Sequence, residues 1–313
     1  MRCEMENKRG DKWTVENIPD LSGKVTVVTG ANSGLGFESS KEFARKGANV
    51  VMACRSMEKG QDAKNKIIEE IPDASAEVMH LDLASLKSVH QFADEFKGKY
   101  DRLDILLNNA GIMFTPYGKT EDGFEIQFGT NHLGHFALTG LLLGLVTKAP
   151  KSRVVNVSSI AHSMVVMDFS DLNWEKSRYN TIGAYGRSKL ANLLFTYELQ
   201  RRFESVGINS IAVAAHPGAS KTNLARHTNR ILYTILLIVA ARARAARGAL
   251  PQIRASVDPE VKGGEYYGPD GFREMRGSPV LVQSNAASHN ETDAKKLWEI
   301  SEELTQIKYN FII

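Results

Sequence analysis

The sequence predicts one doubly wound α/β domain, with helices on both faces of a mostly parallel sheet. Two patterns support this prediction: short, continuous apolar runs, and longer amphipathic segments that alternate with them. A strand that is covered on both faces is apolar along its length, and strand–helix alternation at this spacing is typical of parallel sheets. No internal repeat, low-complexity tract or linker interrupts the alternation, which indicates a single domain.

The predicted strands are runs of four to six residues rich in valine, isoleucine and leucine. Their hydrophobicity is continuous rather than alternating, as expected for strands in the centre of a sheet. The runs cover residues 25–29, 50–54, 77–81, 105–108, 154–158 and 211–215.

Helical periodicity fills the intervals between these runs. Apolar residues between 86 and 96 recur at spacings that place them on one helical face. A second apolar face ends at Ile71, where Pro72 stops the helix. A third helix begins near Gly34, and Gly47 follows it at the position expected for a C-terminal cap.

Composition and charge exclude several protein classes. Apolar residues make up 42% and charged residues 24%, as in ordinary globular proteins, and a net charge of +3 is too small to predict a nucleic-acid partner. The two cysteines, Cys3 and Cys54, form no disulfide framework, which favours a reducing compartment. The charged N-terminus has no apolar signal region, and the longest apolar stretch, 231–241, is too short to span a bilayer. We therefore expect a cytoplasmic protein without stable membrane insertion, in which a loosely packed arm at 1–20 precedes the domain at 21–313.

A glycine-rich turn, TGANSGLG at 29–36, directly follows the first predicted strand. Its glycines permit a tight turn, and backbone N–H groups at the N-terminus of the next helix favour a bound pyrophosphate. The spacing is G-x-x-x-G-x-G and not the common G-x-G-x-x-G, so the motif alone leaves a plain loop as the alternative. Its place between a buried strand and a helix favours a dinucleotide site of the Rossmann type.

The end of the second strand indicates which dinucleotide is bound. An acidic residue there binds the ribose 2′-hydroxyl of NAD, whereas an arginine suits the 2′-phosphate of NADP. Residues 53–56 read ACRS and contain no carboxylate, and the Arg55 guanidinium can present a planar pair of donors to a phosphate. The alternative is an ordinary surface arginine. We predict NADP(H) as the cofactor.

Tyr185 and Lys189, four residues apart, share one face of a predicted helix. A free tyrosine has a pKa of about 10, and a neighbouring ammonium together with an oxidised nicotinamide would lower it. The fifth predicted strand ends in NVSS at 156–159, at the carboxyl edge where such sheets bind ligands. A serine hydroxyl there can hydrogen-bond the substrate oxygen while Tyr185 transfers the proton. The alternative role of Ser159 is a helix cap.

Taken in order, these motifs resemble the short-chain dehydrogenase/reductase family from about residue 23 to the C-terminus. The matching segments are TGANSGLG at 29–36, Asp82, NNAG at 108–111, Asn131, Ser159, YGRSK at 185–189, and the turn His216-Pro217-Gly218 with Thr222.

The resemblance implies a role for each matching residue. Tyr185 would be the catalytic acid/base, and Lys189 would bind the nicotinamide ribose while lowering the tyrosine pKa. Ser159, rather than Ser158, would position the substrate carbonyl, and Asn131 would anchor a water that relays protons to Lys189. The implied cofactor contacts are Gly30, Asn32, Ser33, Gly34, Leu35, Gly36, Arg55, Asp82, Leu83, Asn109, Ala110, Gly111, Tyr185, Lys189, Pro217, Gly218 and Thr222.

Several of these positions have a structural alternative. Asn131 could be a residue at a helix kink that bonds the backbone, and Asp82 could begin a helix. His132 and His135 lie three apart without a carboxylate or third ligand nearby, so we predict packing or surface roles for them and no metal site.

Within the family, the chain is similar to the retinol-dehydrogenase-like branch and its relatives near protochlorophyllide reductase. This similarity implies NADP(H), a small hydrophobic aldehyde, ketone or alcohol as substrate, and either a monomer or a homodimer through the helices that carry Asn131 and Tyr185. Substrate identity does not follow from fold. The similar segments are ACR at 53–55, TNHLGHF at 130–136, RVVNVSS at 153–159, SKLAN at 188–192 and LWEIS at 297–301.

Residues 223–248 combine an apolar stretch with several arginines. In the family that the chain resembles, the corresponding region is a mobile lid over the substrate, which is the interpretation we favour. A packed helix and a weak membrane-surface contact are the alternatives.

These observations predict an NADP(H)-dependent oxidoreductase that moves a hydride between the nicotinamide and a carbonyl or alcohol carbon, with Tyr185 as acid/base. A dinucleotide sensor without catalytic activity is the alternative from another class. Such a protein would lack some of the catalytic residues. A light-driven reductase of a tetrapyrrole ring is the alternative among enzymes.

Overall fold

The computed structural model describes residues 12–218 and 245–311. The six predicted strands are confirmed, each to within one residue at either end. The strands are β1 (Val25–Thr29), β2 (Asn49–Cys54), β3 (Ala76–His80), β4 (Ile105–Asn108), β5 (Arg153–Val157), β6 (Ile211–Ala215), β7 (Tyr266–Pro269) and β8 (Pro279–Leu281).

One eight-stranded sheet has the order β3-β2-β1-β4-β5-β6-β7-β8. Neighbouring strands pair in parallel from β3 to β7, and only β8 is antiparallel to its neighbour. The strand order therefore reverses between β1 and β4, and the carboxyl ends of the parallel strands meet at one edge of the sheet. Ligands of doubly wound folds bind at such a reversal.

Helices cover both faces of the sheet. The helices are α1 (Gly34–Arg45), α2 (Met57–Glu70), α3 (Leu86–Lys99), α4 (an α turn Ile126–Phe128, a π segment Gly129–Leu133 and a long α segment Gly134–Lys148), α5 (Thr181–Ser205), α6 (described over 245–257) and α7 (Glu291–Thr305). Short 3-10 helices cover Val15–Asn17, Ile160–Met164, Phe272–Glu274 and Ala286–His289.

Two buried clusters hold these layers together. On one face, Phe92 of α3, Phe136 of α4 and Phe195 of α5 pack over the strands. On the other, Phe43 of α1, Ile67 of α2 and residues of α6 do the same. The doubly wound α/β prediction is thereby confirmed.

Two features differ from the sequence predictions. The strands β7 and β8 were not predicted, because one reads YYGP and the other is only three residues long, so neither gives a continuous apolar run. Trp13 and Ile18 are buried in the same cluster as Phe43, so the part of the predicted arm from residue 12 onward is packed and not loose. Burial of these apolar side chains stabilises the packed arm, and this free energy exceeds the conformational entropy that a loose arm would keep.

Among the described residues, no helix is both long enough and apolar enough to cross a bilayer.

Candidate active site

The glycine-rich turn lies between β1 and α1 and packs against the end of β4. Gly30 and Gly34 have positive φ angles of 67° and 57°, a conformation that glycine adopts without steric cost. A Cβ on Gly36 would lie 2.5 Å from the Gly30 carbonyl oxygen and 2.6 Å from Nδ2 of Asn109. Gly36 is therefore required because the backbone of the turn and Asn109 pack directly against it. The opposite side of the turn lines a groove.

Thr29, which ends β1, fixes the neighbouring NNAG segment. Its Oγ1 accepts hydrogen bonds from the backbone N–H groups of Asn109 and Ala110, each at 2.9 Å. Nδ2 of Asn109 donates to the Thr29 carbonyl at 2.7 Å, and Nε2 of Gln252 donates to Oδ1 of Asn109 at 3.0 Å. Neither supporting residue was predicted from the sequence. Thr29 could have been found from its place at a strand end, whereas Gln252 has no local signal.

A groove of about 650 Å³ runs along the turn at the strand-order reversal. Its wall includes the predicted contacts Gly30, Asn32, Ser33, Gly34, Leu35, Arg55, Asp82, Leu83, Asn109, Ala110 and Gly111. It also includes residues that sequence reasoning missed, among them Phe37, Glu38, Ser56, Lys59, Lys66, Ile112 and Thr130. Five predicted contacts do not line it: Gly36, Tyr185, Lys189, Pro217 and Gly218. Thr222 and most of the predicted lid, 223–244, lie outside the described residues.

One end of the groove is basic. Arg55 follows β2, and Lys59 lies one helical turn further along on α2; both side chains are exposed and line the groove. Ser56 caps α2 by accepting a hydrogen bond from the Lys59 backbone N–H at 3.3 Å. An anion at this end would meet two cations and the N-terminus of a helix.

Asp82 has the structural role considered for it, and its cofactor contact stays a prediction. Its Oδ1 accepts a hydrogen bond from the Ala84 backbone N–H at 3.0 Å, in the turn that leads into α3. The same residue lines the groove.

At its other end the groove reaches Gly111, directly beside the predicted catalytic residues. A Cβ on Gly111 would lie 3.2 Å from Oδ1 of Asn131 and 3.4 Å from Nζ of Lys189. Nζ of Lys189 donates to the Val157 carbonyl at 3.0 Å and lies 5.8 Å from the centre of the Tyr185 ring. The structure thus brings Asn131, Tyr185 and Lys189 together at the carboxyl edge of the sheet.

Burial shifts the pKa values of both residues on α5. It lowers the pKa of the Lys189 ammonium to about 8. It also raises the pKa of the Tyr185 phenol, against a smaller lowering from the neighbouring Ser159 hydroxyl. The predicted lowering of the tyrosine pKa is thus not a property of the protein alone, because burial raises the pKa by more than the Ser159 side chain lowers it.

The structure distinguishes between the two serines at the end of β5. Oγ of Ser158 donates to the Lys189 carbonyl at 2.8 Å and is buried, whereas the Ser159 side chain lies close enough to the Tyr185 phenol to lower its pKa. Oγ of Ser159 also accepts from the Ala161 backbone N–H at 3.2 Å, so it caps the short helix that follows. Ser159 therefore faces the site, and Ser158 supports the backbone of α5.

Asn131 lies in the π segment of α4 and makes the backbone contacts considered as its alternative role. Its Oδ1 accepts from the Ile112 backbone N–H at 2.8 Å, and its Nδ2 donates to the Ile112 carbonyl and to Oγ of Ser188, both at 2.9 Å. The side chain thus ties the segment after Gly111 to α5. The water-relay role stays a prediction.

The two histidines of α4 are buried packing residues, as predicted. Nε2 of His132 contacts Oγ of Ser301 at 2.9 Å. Burial lowers the pKa of His135 to about 4. This neutral ring donates from Nδ1 to the Asn131 carbonyl and accepts at Nε2 from the Thr29 hydroxyl. The described residues hold no cluster of three or more potential metal ligands.

The His216-Pro217-Gly218 turn directly follows β6. Nε2 of His216 lies 2.9 Å from a carboxylate oxygen of Glu274, and the Gly218 backbone N–H donates to Nδ1 at 3.2 Å. Burial lowers the pKa of His216 to about 3, so the neutral ring donates to Glu274 and accepts from Gly218.

Comparison with known proteins identifies the family. The family model described as short chain dehydrogenase matches residues 24–231. Human retinol dehydrogenase 13 is 41% identical over 298 residues, which cover 92% of this chain and 86% of that protein. Mouse retinol dehydrogenase 14 is 42% identical over 304 residues, covering 92% and 87%.

Solved structures agree with this result. A crystal structure of a protein from Mycobacterium paratuberculosis is 40% identical, with a TM-score of 0.83, and the match covers 96% of this chain and 100% of that one. An active-site complex of Pseudomonas aeruginosa RhlG with NADP is 21% identical, with a TM-score of 0.60 and coverage of 80% and 95%, and it shares the fold. The chain belongs to the short-chain dehydrogenase/reductase family, in its retinol-dehydrogenase-like branch, and is an oxidoreductase of alcohol and carbonyl groups.

Proposed function

We propose that the protein is an NADP(H)-dependent oxidoreductase that interconverts a hydrophobic aldehyde or ketone and its alcohol, with Tyr185 as acid/base. The observation that carries the proposal is the placement of the Tyr185 phenol next to the Ser159 side chain and Lys189, at the end of the groove at Gly111. A phenol, a hydroxyl and an ammonium in this arrangement can bind a substrate oxygen and transfer one proton to it.

The groove has the size and chemistry of a dinucleotide site. Its volume of about 650 Å³ is in the range of ligand pockets, and its central wall is the glycine-rich turn at the N-terminus of α1. The basic end at Arg55 and Lys59 favours a 2′-phosphate, hence NADP(H) over NAD(H). When bound, the nicotinamide gives or takes the hydride.

Residues of the chain itself transfer the proton. In the direction of reduction, the Tyr185 phenol donates its proton to the substrate oxygen while the Ser159 hydroxyl hydrogen-bonds that oxygen. The Lys189 ammonium stabilises the resulting phenolate and can hold a ribose hydroxyl. Asn131 keeps the segment after Gly111 in place against α5.

The relatives and the surface near Tyr185 support the proposed substrate class. The relatives are retinol dehydrogenases, whose substrates are apolar alcohols by name. Phe114, Met164 and Ile182 are large apolar side chains left exposed on segments at the carboxyl edge. We expect reduction to be the cellular direction if NADPH is the cofactor, and we retain a cytoplasmic location as part of the proposal.

The test is NADPH oxidation against a panel of aldehydes and ketones, with wild type and Tyr185→Phe. We expect the variant to lose about 10²- to 10⁴-fold in kcat, the usual contribution of an acid/base group, while its Kd for NADPH stays unchanged. Tyr197→Phe is the matched control, since Tyr197 is a buried tyrosine of the same helix whose hydroxyl bonds Ser284 at 2.8 Å. Turnover that persists in Tyr185→Phe would contradict the mechanism. NADPH binding without turnover of any carbonyl by wild type would favour the dinucleotide sensor.

A further inference from the structure

Phe114 lies three residues after Gly111, and its ring packs on the ring of Tyr185. The two ring centres are 5.3 Å apart and the planes make an angle of 70°, an edge-to-face contact. The Phe114 side chain is nevertheless 45% exposed and belongs to none of the core clusters found in the described residues. One part of this ring therefore contacts the proposed acid/base, and the rest is open to a ligand.

The backbone at Phe114 has a conformation that phenylalanine rarely adopts. Its φ is 56°, in the left-handed region that favours glycine. Strained residues of this kind persist where surrounding contacts hold them, and they are concentrated at functional sites. For the stability of the fold alone, glycine or asparagine would be more favourable at this position.

Gln127 holds Phe114 in this conformation. Its Oε1 accepts from the Phe114 backbone N–H at 2.9 Å, and its Nε2 donates to the Tyr179 hydroxyl at 2.9 Å and to the Thr181 carbonyl at 3.0 Å. Gln127 is fully buried. Oγ1 of Thr181 also donates to the carbonyl of residue 115 at 2.8 Å. The segment that carries Phe114 is thereby tied to the start of α5, the helix that carries Tyr185.

We propose that Phe114 is a specificity-determining residue, a fixed aromatic wall against which one substituent of the substrate carbonyl packs. The inference rests on the proposed function. A substrate oxygen must come within about 2.6–3.2 Å of the Tyr185 hydroxyl to receive its proton. Because the Phe114 ring lies beside the Tyr185 ring, a substituent on that side of the carbonyl carbon meets the open part of the Phe114 ring. A planar, unsaturated substituent gains an aromatic contact there that a short alkyl group cannot make.

The test compares 2-naphthaldehyde with propanal as substrates, with NADPH as cofactor, for wild type, Phe114→Gly and Phe114→Leu. We expect the ratio of the two kcat/KM values to fall about 10-fold in Phe114→Gly, through a higher KM for 2-naphthaldehyde. Phe114→Leu keeps apolar bulk and should lose a smaller part of this preference. Gln127→Met frees the backbone of residue 114 and should also lower the ratio, which assigns Gln127 a positioning role.

Tyr117→Ala is the matched control. Tyr117 lies on the same segment, is 44% exposed and makes an edge-to-face contact at 5.2 Å, but with Tyr179 and not with Tyr185. The ratio of the two kcat/KM values in Tyr117→Ala should match that of wild type.

Thermal unfolding separates a specificity role from a structural one. Glycine relieves the positive φ at position 114, so Phe114→Gly should keep or raise the Tm. A fall of several degrees in Tm, with equal losses of kcat/KM for both aldehydes, would show that the ring serves only to stabilise the fold. That result would overturn the inference. An unchanged ratio in a variant that turns over both aldehydes would contradict the inference alone. A wild type without turnover of either aldehyde would contradict the proposed function and the inference together.

Discussion

At the scale of single residues, burial and charge oppose each other in the proposed acid/base pair. Burial lowers the pKa of Lys189 to about 8 and raises that of Tyr185. The protein alone therefore holds a neutral phenol beside an ammonium that loses its proton more readily than an exposed lysine. A positive charge next to both groups would favour the phenolate, whereas the reduced, uncharged state of a nicotinamide would leave the phenol ready to donate. Tyr185 could therefore act as an acid when the substrate is reduced and as a base when it is oxidised.

Arg55 is the residue that we expect to set cofactor preference. Arg55→Ala should weaken NADPH binding about 10- to 100-fold, since a charge-assisted hydrogen bond contributes about 1.5–3 kcal/mol, and should change NADH binding by less than twofold. Isothermal titration of both nucleotides measures the two dissociation constants. Lys295→Ala, which removes an exposed cation on α7, is the control. Equal weakening for both nucleotides would show that Arg55 does not meet the 2′-phosphate.

At the scale of elements, α4 is held in place by the C-terminal part of the chain. The aromatic rings of Trp298 on α7 and of Tyr309 lie 5.2 Å and 4.8 Å from that of Phe136, and the Tyr309 hydroxyl donates to the Phe136 carbonyl at 2.6 Å. Phe136 follows Asn131 by little more than one helical turn. The same contacts cover part of the helix pair through which a homodimer was predicted, and the homodimer stays a prediction.

Tyr309 is therefore expected to contribute strongly to stability. Tyr309→Ala should lower the free energy of unfolding by about 3–5 kcal/mol, because it leaves a cavity among aromatic rings. Tyr309→Phe keeps the ring and should lose only about 1 kcal/mol, for one hydrogen bond. Urea unfolding of both variants and wild type measures these differences. Similar losses for the two variants would mean that the hydroxyl, and not the ring, holds the segment.

At the scale of the whole molecule, several buried histidines make stability depend on pH. Burial lowers the pKa of His132 to about 3, of His135 to about 4 and of His216 to about 3. In the unfolded chain each returns to about 6.5. Below that pH the unfolded chain takes up protons that the folded protein does not, so acid favours unfolding.

The free energy of unfolding should fall as pH drops from about 6.5 toward 4, by up to about 1.4 kcal/mol per pH unit for each of these histidines. Urea unfolding at pH 7, 6 and 5 measures the slope. The double variant His132→Phe/Ser301→Ala removes one titrating ring together with its partner and should reduce the slope. Stability that is independent of pH over this range would show that the rings become protonated without unfolding.

The six central strands and many of the candidate site residues could be predicted from local sequence. Each central strand is a continuous apolar run, and the glycines, Arg55, Ser159, Tyr185 and Lys189 lie at positions that a strand end or helix face fixes locally. The strands β7 and β8 could not be predicted in the same way, because they are short and take their partners from the tertiary structure. Gln252 is similar, since it reaches Asn109 from 143 residues away.

The sequence by itself determined the α/β layering and the position of the glycine-rich turn between β1 and α1, because periodicity and strand ends are properties of neighbouring residues. Only the tertiary structure placed Oγ of Ser158 on the Lys189 carbonyl, gave Asn131 its backbone contacts and placed Phe114 on Tyr185. It also reversed the expected shift of the tyrosine pKa in the protein alone. The physical reason is that burial and side-chain contacts arise between segments distant in the chain, and desolvation depends on all of them together.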